Sequence, residues 1–205
     1  MGLPENKKYK AVNVGGLMID DSIRVFTYLI ENKANNPNLQ ELMQILPMKS
    51  EASQRRIFQE LLRRFRQMDN LVSDYFFRAE RNEQIILLFY AAMKNYQLLF
   101  DVVFQLVIPK YYKSEKALHG MDILAFFDNK VLEQAQIENW SVRTRKNMAA
   151  IMLMMLKESG IQKNEQIVPL LATDDFWRMF VKSGEYWMLD AALLSKEDKL
   201  RINSI

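Results

Sequence analysis

The chain has 205 residues, 49% of them apolar and 11% aromatic, with six glycines, five prolines and no cysteine. That supplies a core for one domain and excludes global disorder, disulfides, thiolate zinc sites and cysteine nucleophiles. The net charge is only +3, so any case for nucleic acid must rest on local charge, not on the total.

So few glycines and prolines predict long helices, not many short strands. The fold class expected is all-α: a compact multi-helix domain, 1–205, with a long buried central helix and two helix-turn-helix-like units. The opening MGLPENKKYKAVN lacks the apolar segment of a secretory leader, and residues 1–12 read as a loose basic arm. Val14-Gly15-Gly16-Leu17 permits unusual backbone angles or close chain packing, and has no phosphate-loop spacing. Asp20 or Asp21 is placed to cap a helix over Ser22–Lys33, which Asn35-Asn36-Pro37 ends. Asn38 with Glu41 three residues later has the form of a capping box and starts a short helix to Leu46.

After the break at Pro47-Met48-Lys49, Ser50 is a cap for a second helix. Ile57, Phe58, Leu61, Leu62, Phe65 and Met68 fall on one side of it at helical spacing, and Arg55, Arg56, Gln59, Arg63 and Arg66 on the other. Short helix, tight break and basic helix together look like a helix-turn-helix within a lobe over about 14–78. Lys49, Ser50, Ser53, Arg55, Arg56, Gln59 and Arg63 are its candidate DNA contacts. A solvated outer face produces the same charge pattern.

Asn70–Phe77 reads as a further short helix. The central helix is expected over about 82–108 and to end near Pro109. Its segment Gln84–Ile108 is long enough to span a bilayer, but Lys94, Asn95, Gln97, Asp101 and Gln105 interrupt it. Lys and Asp near a bilayer centre each cost about 2.5–3.5 kcal/mol, so a buried helix is expected and no stable membrane insertion.

The last lobe, about 119–205, begins after the loop Leu118-His119-Gly120. Met121–Phe127 and Lys130–Ile137 read as short helices. Ser141 then caps a long helix that Gly160 stops, with Thr144, Met148, Ile151, Met152 and Met155 as its apolar stripe. Arg143, Lys146, Asn147 and Lys157 point away from the stripe, and Arg145 sits on its flank. Thr173 and Ser195 are caps in the tail, around an aromatic cluster of Phe176, Trp177, Phe180, Tyr186 and Trp187.

The two long helices echo each other: Ser50-x-x-Ser53-x-Arg55 matches Ser141-x-x-Thr144-x-Lys146. Free N–H groups at a helix start, flanking hydroxyls and a cation suit phosphate oxygens. The second set of candidate DNA contacts is therefore Ser141, Arg143, Thr144, Arg145 and Lys146. Two ordinary capped helices give the same spacing.

No catalytic constellation stands out. His119 has no acids or cysteines at metal spacing. The acid pairs Asp20-Asp21, Asp174-Asp175 and Glu197-Asp198 suit helix starts, and the thirteen methionines suit core filling. No enzyme, metal site or cofactor is expected.

The order of segments resembles the BrxA family, a small component of bacterial BREX phage-exclusion systems, from about Val14 to Leu171. The matching pieces are Gly15-Gly16-Leu17 with Asp21-Ser22, Lys49-Ser50 through Arg55-Arg56, Glu83-Gln84 before Leu87-Leu88, and Asp101. Phe126-Phe127, Thr144-Arg145-Lys146, Leu156 through Ile161, and Ile167-Val168-Pro169 follow. Where the family often has a Thr-Arg-Lys-Lys-Leu run, this chain has Thr144-Arg145-Lys146-Asn147-Met148, one basic residue fewer. The resemblance implies an all-helical, soluble protein whose two helix-turn-helix units bind double-stranded DNA; the absence of cysteine is compatible with the cytoplasm, the location expected. It also implies a system with a DNA methyltransferase, an AAA+ ATPase and an alkaline-phosphatase-like partner. Two alternatives stand beside it: a protein–protein adaptor in the same system docking through the tail aromatics, and a membrane-associated protein; the family has carried an inner-membrane label, which the interrupted apolar stretch 84–108 explains as a hydropathy artefact.

Overall fold

Six of the thirteen α-helices among the described residues begin where the sequence supplies an oxygen to receive a free backbone N–H. The computed structural model describes residues 9, 12, 15–33, 37–47, 50–113 and 115–204. The helices are α1 (Ile19–Asn32), α2 (Leu39–Ile45), α3 (Glu51–Phe65), α4 (Asn70–Phe76), α5 (Arg81–Asn95), α6 (Gln97–Val102) and α7 (Ile108–Tyr112). They continue with α8 (Gly120–Lys130), α9 (Ala135–Glu138), α10 (Val142–Ser159), α11 (Asp174–Lys182), α12 (Trp187–Ala191) and α13 (Lys196–Asn203). The fold is all-α. Asn38 forms the expected capping box with Glu41, and Ser50, Asp69, Ser141, Thr173 and Ser195 each accept a backbone N–H at a helix start. Gly160, at φ +85°, ends α10 in the left-handed region that glycine enters at no steric cost.

Several boundaries differ from the sequence reading. α1 starts at Ile19, ahead of Ser22, so Asp20 and Asp21 lie inside its first turn, where they oppose the positive end of the helix dipole. The helix expected over Lys130–Ile137 is divided: Lys130 ends α8, residues 131–133 turn, and α9 is confined to Ala135–Glu138. A small antiparallel hairpin, β1 (Gln162–Lys163) with β2 (Gln166–Ile167), follows α10; Asn164 and Glu165 turn it with positive φ. Of the arm expected over 1–12, Tyr9 and Val12 are described, and both are buried. The Tyr9 hydroxyl donates to Asp101, and the Val12 N–H lies 3.2 Å from the Met148 sulfur.

α5 is apolar around most of its circumference and lies in the core, Ile86–Met93 all buried. The expected continuous helix over 82–108 is broken. At Tyr96 the backbone becomes extended, and the arms Arg81–Asn95 and Gln97–Tyr112 meet at 109°. The second arm then runs past Pro109, where an end was expected. A π-helical turn over Val103–Val107, with the Ile108 N–H reaching the Val103 carbonyl, brings the chain into α7 with the proline in its first turn. The proline's missing N–H is harmless there. Among the described residues no single helix is long and apolar enough to cross a membrane.

The polar residues that interrupt this apolar stretch are matched. Lys94 bonds Glu185 at 2.5 Å and the Tyr90 hydroxyl at 3.2 Å. Asp101 accepts from Tyr9 and from Gln97 at 2.8 Å. Phe176, Trp177 and Phe180 are buried and Trp187 is half-buried, with Phe180 and Trp187 packed on Tyr90. The tail aromatics are therefore mainly core, and the docking patch expected of them reduces to Tyr186. Burying rings of this size stabilises the fold more than displaying them to water would.

One buried polar cluster ties distant segments together. The Arg64 side chain is 2% exposed; its Nε donates to Glu60 at 2.9 Å and Nη1 to the Gly16 carbonyl at 3.1 Å. Glu60 also accepts from the Tyr96 hydroxyl and from Arg63. On the other side of the same turn, the Leu17 N–H donates to Glu158 and its carbonyl accepts from Ser22 at 2.6 Å. Gly16 has φ +58°, and a Cβ there would collide with the Glu158 carboxylate. Burial opposes ionisation of Glu60, but the Tyr96 hydrogen bond, the Arg64 charge and the Arg63 hydrogen bond outweigh it and hold its carboxyl below the usual range.

Arg64→Ala is expected to cost about 3–5 kcal/mol, because it strands a buried carboxylate, read from the urea midpoint. A depressed folded pKa means that the Glu60 contribution is complete above the ordinary carboxylate value of 4.5 and is lost as pH falls through the lower folded value. Stability should therefore drop on acidification below that point, and Glu60→Gln should start lower and show a shallower drop.

Candidate nucleic-acid interface

The two basic helix starts share a construction that goes beyond their caps. In the first, Ser50 Oγ accepts from the Ser53 N–H at 3.3 Å and donates to Ser53 Oγ at 2.9 Å. In the second, Ser141 Oγ accepts from the Thr144 N–H at 3.1 Å and lies 2.9 Å from Thr144 Oγ1. One residue further on, a long side chain reaches back across the turn. Gln54 Nε2 donates to the Leu46 carbonyl at 2.7 Å; Arg145 Nη2 donates to the Ile137 carbonyl at 3.1 Å. Leu46 and Ile137 each precede their cap serine by four residues and close the short helix before it. So the Leu46 carbonyl at the end of α2 receives a donor from α3, and the Ile137 carbonyl of α9, which already accepts from the Trp140 N–H at 3.0 Å, receives a further donor from α10. The sequence echo pointed to the hydroxyls and missed this fastener. Its signal is a side chain with an N–H donor four residues after the cap.

The predicted contacts fall into groups. Ser50, Arg55, Arg56, Gln59 and Arg63 are exposed on α3 and its cap, with Ser53 half-buried; Lys49 lies outside the described residues. Arg55 pairs with Glu51 at 2.7 Å, both side chains more than half exposed. Such a pair contributes little and exchanges readily for another anion. Arg63 is turned to Glu60 at 2.6 Å, while Arg56 and Arg66 make no ion pair among the described residues. On α10, Ser141, Arg143 and Lys146 are exposed, Thr144 is half-buried, and neither Arg143 nor Lys146 has an ion-pair partner among the described residues. Arg145 is occupied within the fold, by Asp128 at 2.9 Å and the Ile137 carbonyl.

The two starts also differ in field. Glu51 stands in the first turn of α3, whereas the first turn of α10 holds no acid. The dipole and the cations therefore act together at α10 and are partly offset at α3. His119 is exposed; its backbone N–H donates to Asp122 at 2.7 Å. Among the described residues no group of three or more His, Cys, Asp or Glu is placed to hold a metal ion.

Two comparisons with known proteins bear on the chain. The sequence profile of the BrxA family matches residues 7–184. The crystal structure of an uncharacterized protein from Magnetospirillum magneticum shares the fold, at a TM-score of 0.71 and 16% identity, over 91% of this chain and 98% of that one. The curated proteins returned no match.

Ser50→Ala and Ser141→Ala should each cost about 1 kcal/mol through the lost cap. Gln54→Ala should cost about 1–3 kcal/mol, because it removes a donor from a buried carbonyl. Chemical unfolding of the three variants checks this order.

Proposed function

The chain belongs to the BrxA family, and we propose that it is a non-enzymatic subunit of a BREX-type phage-defence system that binds double-stranded DNA through the starts of α3 and α10. Family membership supports the BREX-associated role. The observation that carries DNA binding is the repeated unit of short helix, fastened turn and hydroxyl-capped long helix with exposed cations. Lys49, Ser50, Ser53, Arg55, Arg56, Gln59 and Arg63 form the first contact set. Ser141, Arg143, Thr144 and Lys146 form the second, which Arg145 supports by holding the turn through Ile137. In this reading the two units are helix-turn-helix elements of the lobes 14–78 and 119–205, and the protein works in the cytoplasm. There it acts beside the system's methyltransferase, AAA+ ATPase and alkaline-phosphatase-like protein. The adaptor alternative loses the surface assigned to it, since Phe176, Trp177 and Phe180 lie in the core.

Hydroxyls, backbone N–H groups and cations at helix starts hold phosphates, so binding should depend steeply on salt and discriminate weakly among sequences. Arg143→Ala/Lys146→Ala should weaken duplex binding most, because those cations are unpaired and no first-turn acid opposes them. Arg55→Ala/Arg56→Ala should weaken it less. For every phosphate that a variant no longer neutralises, the plot of log affinity against log salt should flatten by about 0.9. Both pairs are exposed and should shift stability by no more than about 0.5 kcal/mol. Lys163→Ala/Lys196→Ala serves as the charge-matched control. Gel-shift titrations over a salt series decide the matter: an equal fall in affinity for all three pairs means diffuse attraction and defeats the two-site reading.

A further inference from the structure

α4, the turn after it and α11 flank an open surface cleft of about 500 Å³, a size usual for small-molecule sites. Its lining includes Tyr75, Arg78, Asp175, Arg178, Met179 and Lys182, three cations against one carboxylate. None of these residues belongs to either capped helix start. Arg78 and Lys182 are exposed and make no ion pair among the described residues. The Arg78 guanidinium lies over the Tyr75 ring, 4.6 Å from its centroid, which holds the planar fork in a set orientation.

Arg178 is the third cation of the lining. Its Nη1 bonds Asp175 at 2.9 Å, and Asp174, 3.9 Å away, is engaged mainly by Arg201 at 2.9 and 3.0 Å. Its Nε–H is shielded from water and has no acceptor. Two guanidinium groups and an ammonium around a concave space match the oxygens of a phosphate.

We propose that this cavity binds a phosphorylated small molecule of about the size of a ribonucleoside monophosphate. Asp175 decides between such a ligand and the backbone of a duplex. Its side chain is 84% exposed, so it can accept from a ligand hydroxyl. A ribose offers that donor; a DNA backbone has none, and would meet this carboxylate only as repulsion. Nucleotides and sugar phosphates share the recognised chemistry, a phosphate monoester with neighbouring hydroxyls.

Titration calorimetry of the full chain with AMP, ribose 5-phosphate and adenosine tests the proposal. AMP and ribose 5-phosphate should bind and adenosine should not. Tighter binding of AMP than of ribose 5-phosphate identifies a nucleotide; equal binding identifies a sugar phosphate. Lys182→Gln and Arg78→Gln lie on the rim and should each weaken AMP at least about tenfold, with the melting temperature and duplex affinity unchanged. Four results overturn the proposal: no binding of either phosphate, adenosine binding as well as AMP, AMP affinity unchanged in both variants, or a loss of duplex affinity in place of AMP affinity. The last would assign the cavity to a DNA phosphate. Failure of duplex binding in the wild-type protein would leave the cavity result standing, because the two measurements address different surfaces.

Discussion

Arg64 is a cation almost wholly removed from water, a placement that is strongly unfavourable unless the charge is paired and its donors are met. Glu60 supplies the opposite charge, the Gly16 carbonyl an acceptor, and the Tyr96 ring a face 5.5 Å from the guanidinium carbon. One donor, Nη2, remains without an acceptor. Each partner comes from a different segment. Tyr96 is the residue at which the central helix bends, and Gly16-Leu17 is the turn that also receives Glu158 from α10. The carboxyl-terminal ends of α3 and α10 are thereby held to one turn. The capped starts then stand at the opposite ends of these helices, roughly 20–27 Å away at 1.5 Å per residue. A glycine at position 16 is part of the same constraint, since any side chain would enter the space of the Glu158 carboxylate.

The two starts use one solution to a common problem. A short helix followed by a turn leaves carbonyls unmet at its end and N–H groups unmet at the next start. The serine meets the N–H groups, and Gln54 or Arg145 reaches back to a carbonyl. With an amide the fastener is neutral. With a guanidinium it brings a charge, and Asp128 balances it. The exposed cations without an ion-pair partner among the described residues are Arg56 and Arg66 on α3 and its C-cap and Arg143, Lys146 and Lys157 on α10.

The bend at Tyr96 divides the apolar middle of the chain into two arms. A straight helix over 82–108 would carry Lys94 and Asp101 along one apolar rod. The bend and the π-helical turn give each of them partners from elsewhere, Glu185 for the first and Tyr9 for the second. The same packing draws the tail aromatics inward, because Phe180 and Trp187 close over Tyr90 and Trp187 reaches Phe100.

What the sequence by itself determined was local. Asn38, Ser50, Ser141, Thr173 and Ser195 mark helix starts because a cap oxygen and the N–H it accepts from lie within three residues, and Gly160 marks an end because of its own backbone freedom. The all-α class follows from those marks, and the paired hydroxyls of the two starts were legible for the same reason. The tertiary structure decided the rest. Arg64 reads in sequence like its neighbours Arg63 and Arg66, yet it is buried because Gly16 and Tyr96 come to it from 48 and 32 positions away. Arg145 is a fastener, not a free cation, because Asp128 is folded against it. The break at Tyr96, the burial of Tyr9 and the cavity between α4 and α11 likewise join residues far apart in the chain. A residue's immediate neighbours set its cap or its turn; the partner that keeps a buried charge tolerable is supplied only when the chain folds back on itself.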